Sequence, residues 1–296
     1  MKPYPIIGSA QFGMQYGITN SSGQVNFDDV VKILNFSYSA GIRFLDTAEL
    51  YGNSIEVLGN YFKSYPHFEV INKFSCPSKD YFSKTDVFVW EEKFIGSLNQ
   101  LGIQQIDSYL LHSSNDLKKD GSQFLLDWLI SLRERRLVKR IGLSIYDSHE
   151  LDGINLKNFQ LIQLPFSIYD QRFLIEGTIE EIKSYGLSIH ARSIYLQGLI
   201  LTDSSKWPDW IDIDIRKHHE KLENFAKNNN CTLLELCMAF IEQNNFLEGY
   251  VVGICNLTQL KELILCIASF KNFPDLEWKN WAINKSEFIN PRAWPS

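Results

Sequence analysis

Four side chains able to handle a proton fall in order along the first part of the chain: Asp46, Tyr51, Lys73 and His112. A phenol with an ordinary pKa of about 10 holds its proton too tightly to release it readily near neutrality. A lysine ammonium close by favours the phenolate and lowers that pKa, and an aspartate beside the lysine keeps it charged where water is partly excluded. A histidine can orient an oxygen atom or relay a proton. The set therefore predicts general acid–base chemistry at an oxygen, with Tyr51 giving and taking the proton. Each residue has a plainer reading when taken alone. Asp46 and Lys73 could be only a buried ion pair between adjacent strands, and Tyr51 only a loop aromatic.

The elements that must hold these residues show as an alternation. Short apolar runs recur at Tyr4–Gly8, Ile42–Leu45, Phe68–Asn72, Ile106–Leu111, Arg140–Leu143, Leu161–Leu164, Leu187–His190 and Tyr250–Val252. Segments with helical periodicity separate or follow them: Asp28–Ala40, Ser54–Ser64, Thr85–Gly102, Ser122–Leu137, Thr178–Gly186, Arg216–Asn228, Leu233–Gln243 and Leu257–Phe270. Gly41, Gly102 and Gly186 are placed to close helices, and Asp28 and Thr85 to cap helix starts. Eight strand–helix units in 296 residues, with no linker-like break, predict an α/β fold of the (β/α)8 barrel type, one domain over 1–296. A doubly wound open sheet would usually show a glycine fingerprint at its first turn. That turn reads Gly8-Ser9-Ala10-Gln11-Phe12-Gly13 and does not match.

Barrel enzymes place their chemistry at the C-terminal strand ends. Those ends read Asp46, Lys73, His112, Ser144, Gln163, Arg192 and Gly253. So many hydrogen-bonding or ionisable side chains on one rim call for a ligand. Composition narrows what else the chain can be. A net charge of −6 and the lack of a basic run longer than Arg133–Arg136 argue against nucleic acid or an anionic membrane as partner. No stretch of about 18 apolar residues exists, and Met1–Pro5 lacks a signal-peptide layout. Five scattered cysteines without a CxxC pair read as reduced thiols of a cytoplasmic protein. His218-His219-Glu220 reads as a polar helix face rather than a metal site, because adjacent helical residues diverge.

With these residues in view, the sequence resembles the aldo-keto reductases. The family's strand ending Asp-Thr-Ala followed by Tyr-Gly appears as Phe44-Leu45-Asp46-Thr47-Ala48…Tyr51-Gly52, and its next helix as Asn53-Ser54…Leu58-Gly59. The lysine-ended strand matches Val70-Ile71-Asn72-Lys73. The His-ended strand matches Ile106-Asp107-Ser108-Tyr109-Leu110-Leu111-His112, and the Gly-Val-Ser strand matches Ile141-Gly142-Leu143-Ser144. The resemblance implies an NAD(P)H-dependent oxidoreductase that converts an aldehyde or ketone to an alcohol, or the reverse, without metal or flavin. Asp46, Tyr51, Lys73 and His112 would be its catalytic group.

The resemblance also implies cofactor contacts. Ser144 and Gln163 match positions that bond the nicotinamide carboxamide, and Arg192 the position of an aromatic that stacks on the nicotinamide. Ser193, Leu196, Gln197 and Gly198 belong to the loop that wraps the pyrophosphate. Gly253, Asn256 and Gln259 belong to the adenosine-phosphate turn, with Glu262 near the adenine; Asn256 and Gln259 also fit a helix-capping pair. Three departures stand out: Ile145 where an asparagine is usual, Arg192 for the aromatic, and no Lys or Arg in the adenosine turn. NADP(H) is the family's habit and is the expectation here, with NAD(H) the alternative.

The resemblance implies a small carbonyl substrate, and the Arg192–Gly198 segment, which resembles that of reductases accompanying sugar genes, points to a sugar-like one. Phe12, Met14, Phe74, Tyr81, Trp207 and Trp210 are candidate pocket walls, and residues 271–296 a tail packing near the active-site face. A cofactor-binding sensor or auxiliary protein on the same fold is the competing function, since fold does not fix function.

Overall fold

A computed structural model of the chain describes residues 2–65, 68–269, 273 and 276–295. Eight parallel strands run β1 (Tyr4–Gly8), β2 (Phe44–Asp46), β3 (Glu69–Phe74), β4 (Ile106–Leu111), β5 (Val138–Ser144), β6 (Leu161–Pro165), β7 (Ser188–Arg192) and β8 (Gly249–Gly253). They close into a barrel in chain order, the seam pairing Ile6 with Val251 and Gly8 with Gly253. The expected (β/α)8 architecture is the one observed.

Strand periodicity explains why the runs read as continuously apolar. Ile6, Ile71, Leu110 and Leu161 point into the barrel and pack with Tyr4, Phe44 and Val251. Their neighbours Ile7, Leu45, Val70, Tyr109 and Ile141 point outward into the larger core beneath the helices. Both faces of each strand are thus buried. At the lower mouth Arg140 donates to Asp107 Oδ2 (2.8 Å), Glu248 Oε1 (2.7 Å) and Ser108 Oγ (2.9 Å), and Tyr4 Oη donates to Glu248 (2.7 Å). That network seals the bottom, leaving the C-terminal rim as the open end.

The longer helices are Phe27–Ser39, Ser54–Phe62, Lys84–Leu101, Ser122–Glu134, Thr178–Ser184, Ile213–Asn228, Leu233–Gln243 and Leu257–Ala268. Gly41, Gly102 and Gly186 take positive φ at helix ends, as expected. Two caps differ from expectation. Asn26 and Ser83, each two residues upstream of Asp28 and Thr85, hold the extended backbone from which a side chain reaches the third helical N–H; Asn26 Oδ1 accepts from Asp29 N at 3.0 Å. The helix expected to reach Leu137 stops at Glu134, because Arg136 turns left-handed (φ 59°) to deliver Val138 to β5. The last long helix ends at Ala268; Phe270, where it was expected to end, lies outside the described residues, as do 271, 272, 274, 275 and 296 of the tail.

Candidate active site

Two elements converge to place the phenol. After β2 the chain turns through Asp46–Asn53, and after β1 it makes a one-turn helix, Ala10–Gly13. The two loops touch backbone to backbone. A Cβ on Gly13 would lie 1.9 Å from Tyr51 O, and one on Gly52 (φ 55°) 2.2 Å from Gly13 O, so only glycine fits at either position. A hydroxyl relay pins the same turn: Ser9 Oγ donates to Asp46 O (2.9 Å) and meets Ser54 Oγ (2.6 Å), which meets Thr47 Oγ1 (2.9 Å). Tyr51 is thereby aimed over the rim.

Beneath it, Lys73 Nζ is bonded to Asp46 Oδ1 and lies 3.4 Å from both Thr47 O and Tyr51 Oη. The other Asp46 oxygen accepts from Gln163 Nε2 at 2.8 Å. His112 stands edge-on to Tyr51, ring centroids 6.3 Å apart, with Nδ1 3.4 Å from Ser75 Oγ. Nε2 is the ring nitrogen left for a ligand.

The electrostatics overturn one expectation. Tyr51 is not made more acidic. Burial first, and then the Asp46 carboxylate, hold its pKa well above an ordinary phenol, and Arg192 only partly opposes them. Burial also pulls the Lys73 ammonium below its usual value against the pull of Asp46. His112 is pushed down to about 3, by burial and then by Lys73, Arg192 and Arg292, so its imidazole is neutral at physiological pH. The resting site holds a protonated phenol, a paired lysine and a neutral histidine.

These residues line one end of a cavity of about 490 Å³. It runs across the top of the barrel from Asp46, Tyr51, Lys73, His112 and Ser144, past Arg192, Ser193, Gln197 and Gly198, to Gly253, Asn256, Gln259 and Glu262. Ser193 (φ 58°), Leu196 (φ 48°), Gln197 (φ 54°) and Gly198 (φ 94°) form a left-handed run after β7. This loop meets the one after β1: Ile18 N donates to Gln197 Oε1 (3.2 Å), and Thr19 Oγ1 to Gln197 O (3.1 Å). At the far end Asn256 caps the helix Leu257–Ala268 through Gln259 N (2.9 Å), and Gln259 Oε1 accepts from Cys255 N (2.8 Å).

Of the expected cofactor-contacting residues, Gln163 and Leu196 do not line the cavity; both are buried, Gln163 behind Asp46. The expected aromatic walls also fail. Phe12 and Phe74 belong to the core, and Trp207 packs tilted against His219 (4.4 Å) with its indole N–H given to Leu199 O and Thr202 O. Tyr81 is exposed, Trp210 lies against Trp294 in the tail (5.6 Å), and Met14 faces solvent. Tyr16 and Tyr146 line the cavity instead, and Gln11 joins them with an Oε1 that has no hydrogen-bond partner among the described residues. Tyr146, two residues beyond the strand end at Ser144, was a readable signal. His219, expected on a polar helix face, is buried and bonded to Tyr169 Oη (2.6 Å) and Thr202 O (3.1 Å).

The sequence profile described as "Aldo/keto reductase family" matches residues 6–283; the chain belongs to that family and is an NAD(P)-dependent oxidoreductase. The aldo-keto reductase str7 of Strobilurus tenacellus is 26% identical over 273 residues, covering 88% of this chain and 77% of that protein. The uncharacterized oxidoreductase YqkF of Bacillus subtilis (strain 168) is 23% identical over 252 residues, with 79% and 80% covered. In structure, the holo form of aldo-keto reductase AKR11C1 from Bacillus halodurans superposes with a TM-score of 0.72 at 19% identity, covering 98% of this chain and 94% of that one; this likeness is one of fold. The family acts on small carbonyl compounds. Among the described residues no helix is long and apolar enough to cross a membrane.

Proposed function

We propose that the chain reduces an aldehyde or ketone to the alcohol at the Tyr51 end of the cavity, with a nicotinamide cofactor lying along the rest of it. One observation carries the reading: a single cleft joins Tyr51, Lys73 and His112 to the Asn256-capped helix start. The residues along it fit the cofactor. Gly198 and Gly253 leave bare backbone where a Cβ would strike Thr19 Oγ1 (2.0 Å) or Gln11 Nε2 (2.5 Å), Gln11 Oε1 is unspent, and a capped helix start favours phosphate. Ser144 and Arg192 would flank the nicotinamide, Ser193–Gly198 the pyrophosphate, and Gly253–Glu262 the adenosine.

The bound, reduced cofactor supplies a hydride to the carbonyl carbon. As charge moves onto the carbonyl oxygen, Tyr51 Oη transfers its proton there, and Lys73 Nζ stabilises the phenolate left behind. Asp46 keeps Lys73 in place. His112 Nε2 is positioned to hold the carbonyl oxygen, and being neutral it does so without competing for the proton.

For the cofactor's identity, family habit points to NADP(H), but the charge along the cleft points the other way. Lys73 and Arg192 are the cavity's cations and both stand at the reacting end, whereas Cys255, Asn256, Gln259 and the Glu262 carboxylate line the other. A 2′-phosphate there would meet a like charge, and no Lys or Arg among the described residues lines that end. Titration by tryptophan fluorescence should show NADH binding about tenfold or more tighter than NADPH. If NADPH binds tighter the NAD(H) assignment is wrong, and if neither binds at millimolar concentration the whole reading fails.

A further inference from the structure

Arg192 carries a buried charge that no carboxylate among the described residues pairs with, although Asp170, itself held by Arg172, feels it. It is 9% exposed and lines the cavity, and among the described residues its one hydrogen bond runs from Nη2 to Ile145 O (2.7 Å). The surrounding carboxylates are already engaged. Asp46 is shared by Lys73 and Gln163, and Asp170 is held by Arg172 through Nε (2.8 Å) and Nη2 (2.9 Å). Glu150 lies 3.5 Å from Arg292. Among the described residues Arg192 forms no ion pair. A guanidinium so buried is costly without an anion, and it has several N–H groups left to bind one.

A second guanidinium reinforces the first. The Tyr146 ring lies between the two, with Arg192 Cζ 3.7 Å from its centroid and Arg292 Cζ 3.5 Å from it. Arg292 comes from the C-terminal segment, so the tail brings positive charge to the reacting end. Two neighbouring groups register this field: the Tyr146 phenol is lowered by Arg192, Arg292 and Lys73 despite burial, and the same three cations help depress His112. Direction matters as well. From β7, Arg192 reaches Ile145 and Tyr146 beyond β5, away from the Gly253–Gln259 turn where the cofactor's adenosine end would lie.

We propose that Arg192, backed across Tyr146 by Arg292, binds an anionic group on the substrate, so that the preferred carbonyl compound carries a carboxylate or a phosphate. This rests on the carbonyl-reduction reading above. A guanidinium offers paired N–H donors to either group, and one charge-assisted contact is worth about tenfold or more in binding.

Two matched pairs test it: 4-carboxybenzaldehyde against methyl 4-formylbenzoate, and glyceraldehyde 3-phosphate against glyceraldehyde, with wild type, R192M, R192K and R292M. Wild type should favour the charged member of at least one pair by about tenfold or more in kcat/KM, mainly through KM. Which pair responds tells carboxylate from phosphate. R192M should bring the ratio near one, R192K should keep part of it, and R292M should lower it. Equal rates within both pairs, or a preference that survives R192M, overturns the inference while carbonyl reduction stands. It is also overturned if R192M weakens NADH binding as much as it weakens the charged aldehyde, because the anion served is then the cofactor's. If no aldehyde is consumed, the function fails separately. Fluorescence titration with 4-(hydroxymethyl)benzoate and with inorganic phosphate then decides: binding that R192M abolishes supports the anion site, and no binding, or binding that R192M leaves intact, refutes it.

Discussion

At the scale of single residues, the site depends on charges that must be kept apart from water and from each other. The Lys73–Asp46 pair is almost fully buried, so removing one partner strands the other. K73M should cost about 3 kcal/mol in stability, and K73M combined with Asp46→Leu should recover much of that, as buried pairs replaced together often do. Urea melts of the two variants read this directly, and equal destabilisation in both would argue against it. His112 gives a pH prediction. Its folded pKa of about 3 lies below the unfolded value of about 6.5, so the unfolded chain takes up the proton first as pH falls. Stability from this group is complete above about 6.5 and is lost as pH drops towards 3. Melting temperature should therefore fall more steeply through that window in wild type than in H112Q, and parallel curves would contradict the assignment. The four proton-handling residues could be found in the sequence because each falls at, or just beyond, a strand end. Tyr16 and Arg292 could not, since Tyr16 reaches the cavity from a loop after β1 and Arg292 reaches Tyr146 from the tail, at sequence separations no local pattern spans. The sign of the Tyr51 shift was hidden too: it depends on burial, which residue types alone do not reveal.

At the scale of elements, the turn after β2 is held by its contact with the turn after β1. Adding a methyl group at Gly52 meets the Gly13 carbonyl in a left-handed backbone, so G52A must shift the segment that carries Tyr51. The expected outcome is a loss of more than about 1 kcal/mol in stability, with kcat falling further than NADH affinity. Near-normal kcat in a folded G52A protein would show that this contact does not set the position of Tyr51. The strands were readable because burial on both faces writes continuous apolar runs. The caps were misplaced by two residues, since Asn26 and Asp28, or Ser83 and Thr85, are equally good cap residues by type and only backbone conformation chooses between them. Ser193, Leu196 and Gln197 gave no sign of their left-handed backbone, because residues of those types rarely adopt it.

At the scale of the whole molecule, the barrel separates stability from chemistry along its axis. Arg140 ties β4, β5 and the residue preceding β8 together at the lower mouth, as far from the rim as the strands allow. R140M should lower stability by about 3 kcal/mol while leaving KM for aldehyde and cofactor within about twofold, and a large change in KM would mean the two ends are coupled. The cavity spans chain from the ends of β1, β2, β4, β5, β7 and β8, so closure of the barrel is what brings the Tyr51 end and the Asn256 end into one cleft. The central claim is that Tyr51 supplies the proton in carbonyl reduction within that cleft. Its most direct test is oxidation of NADH or NADPH by an aldehyde, followed at 340 nm for wild type and Y51F, with cofactor affinity measured for both. Wild type should turn over, and Y51F should lose roughly 10²-fold or more in kcat while binding cofactor as before. A Y51F protein that keeps the wild-type rate would contradict the account.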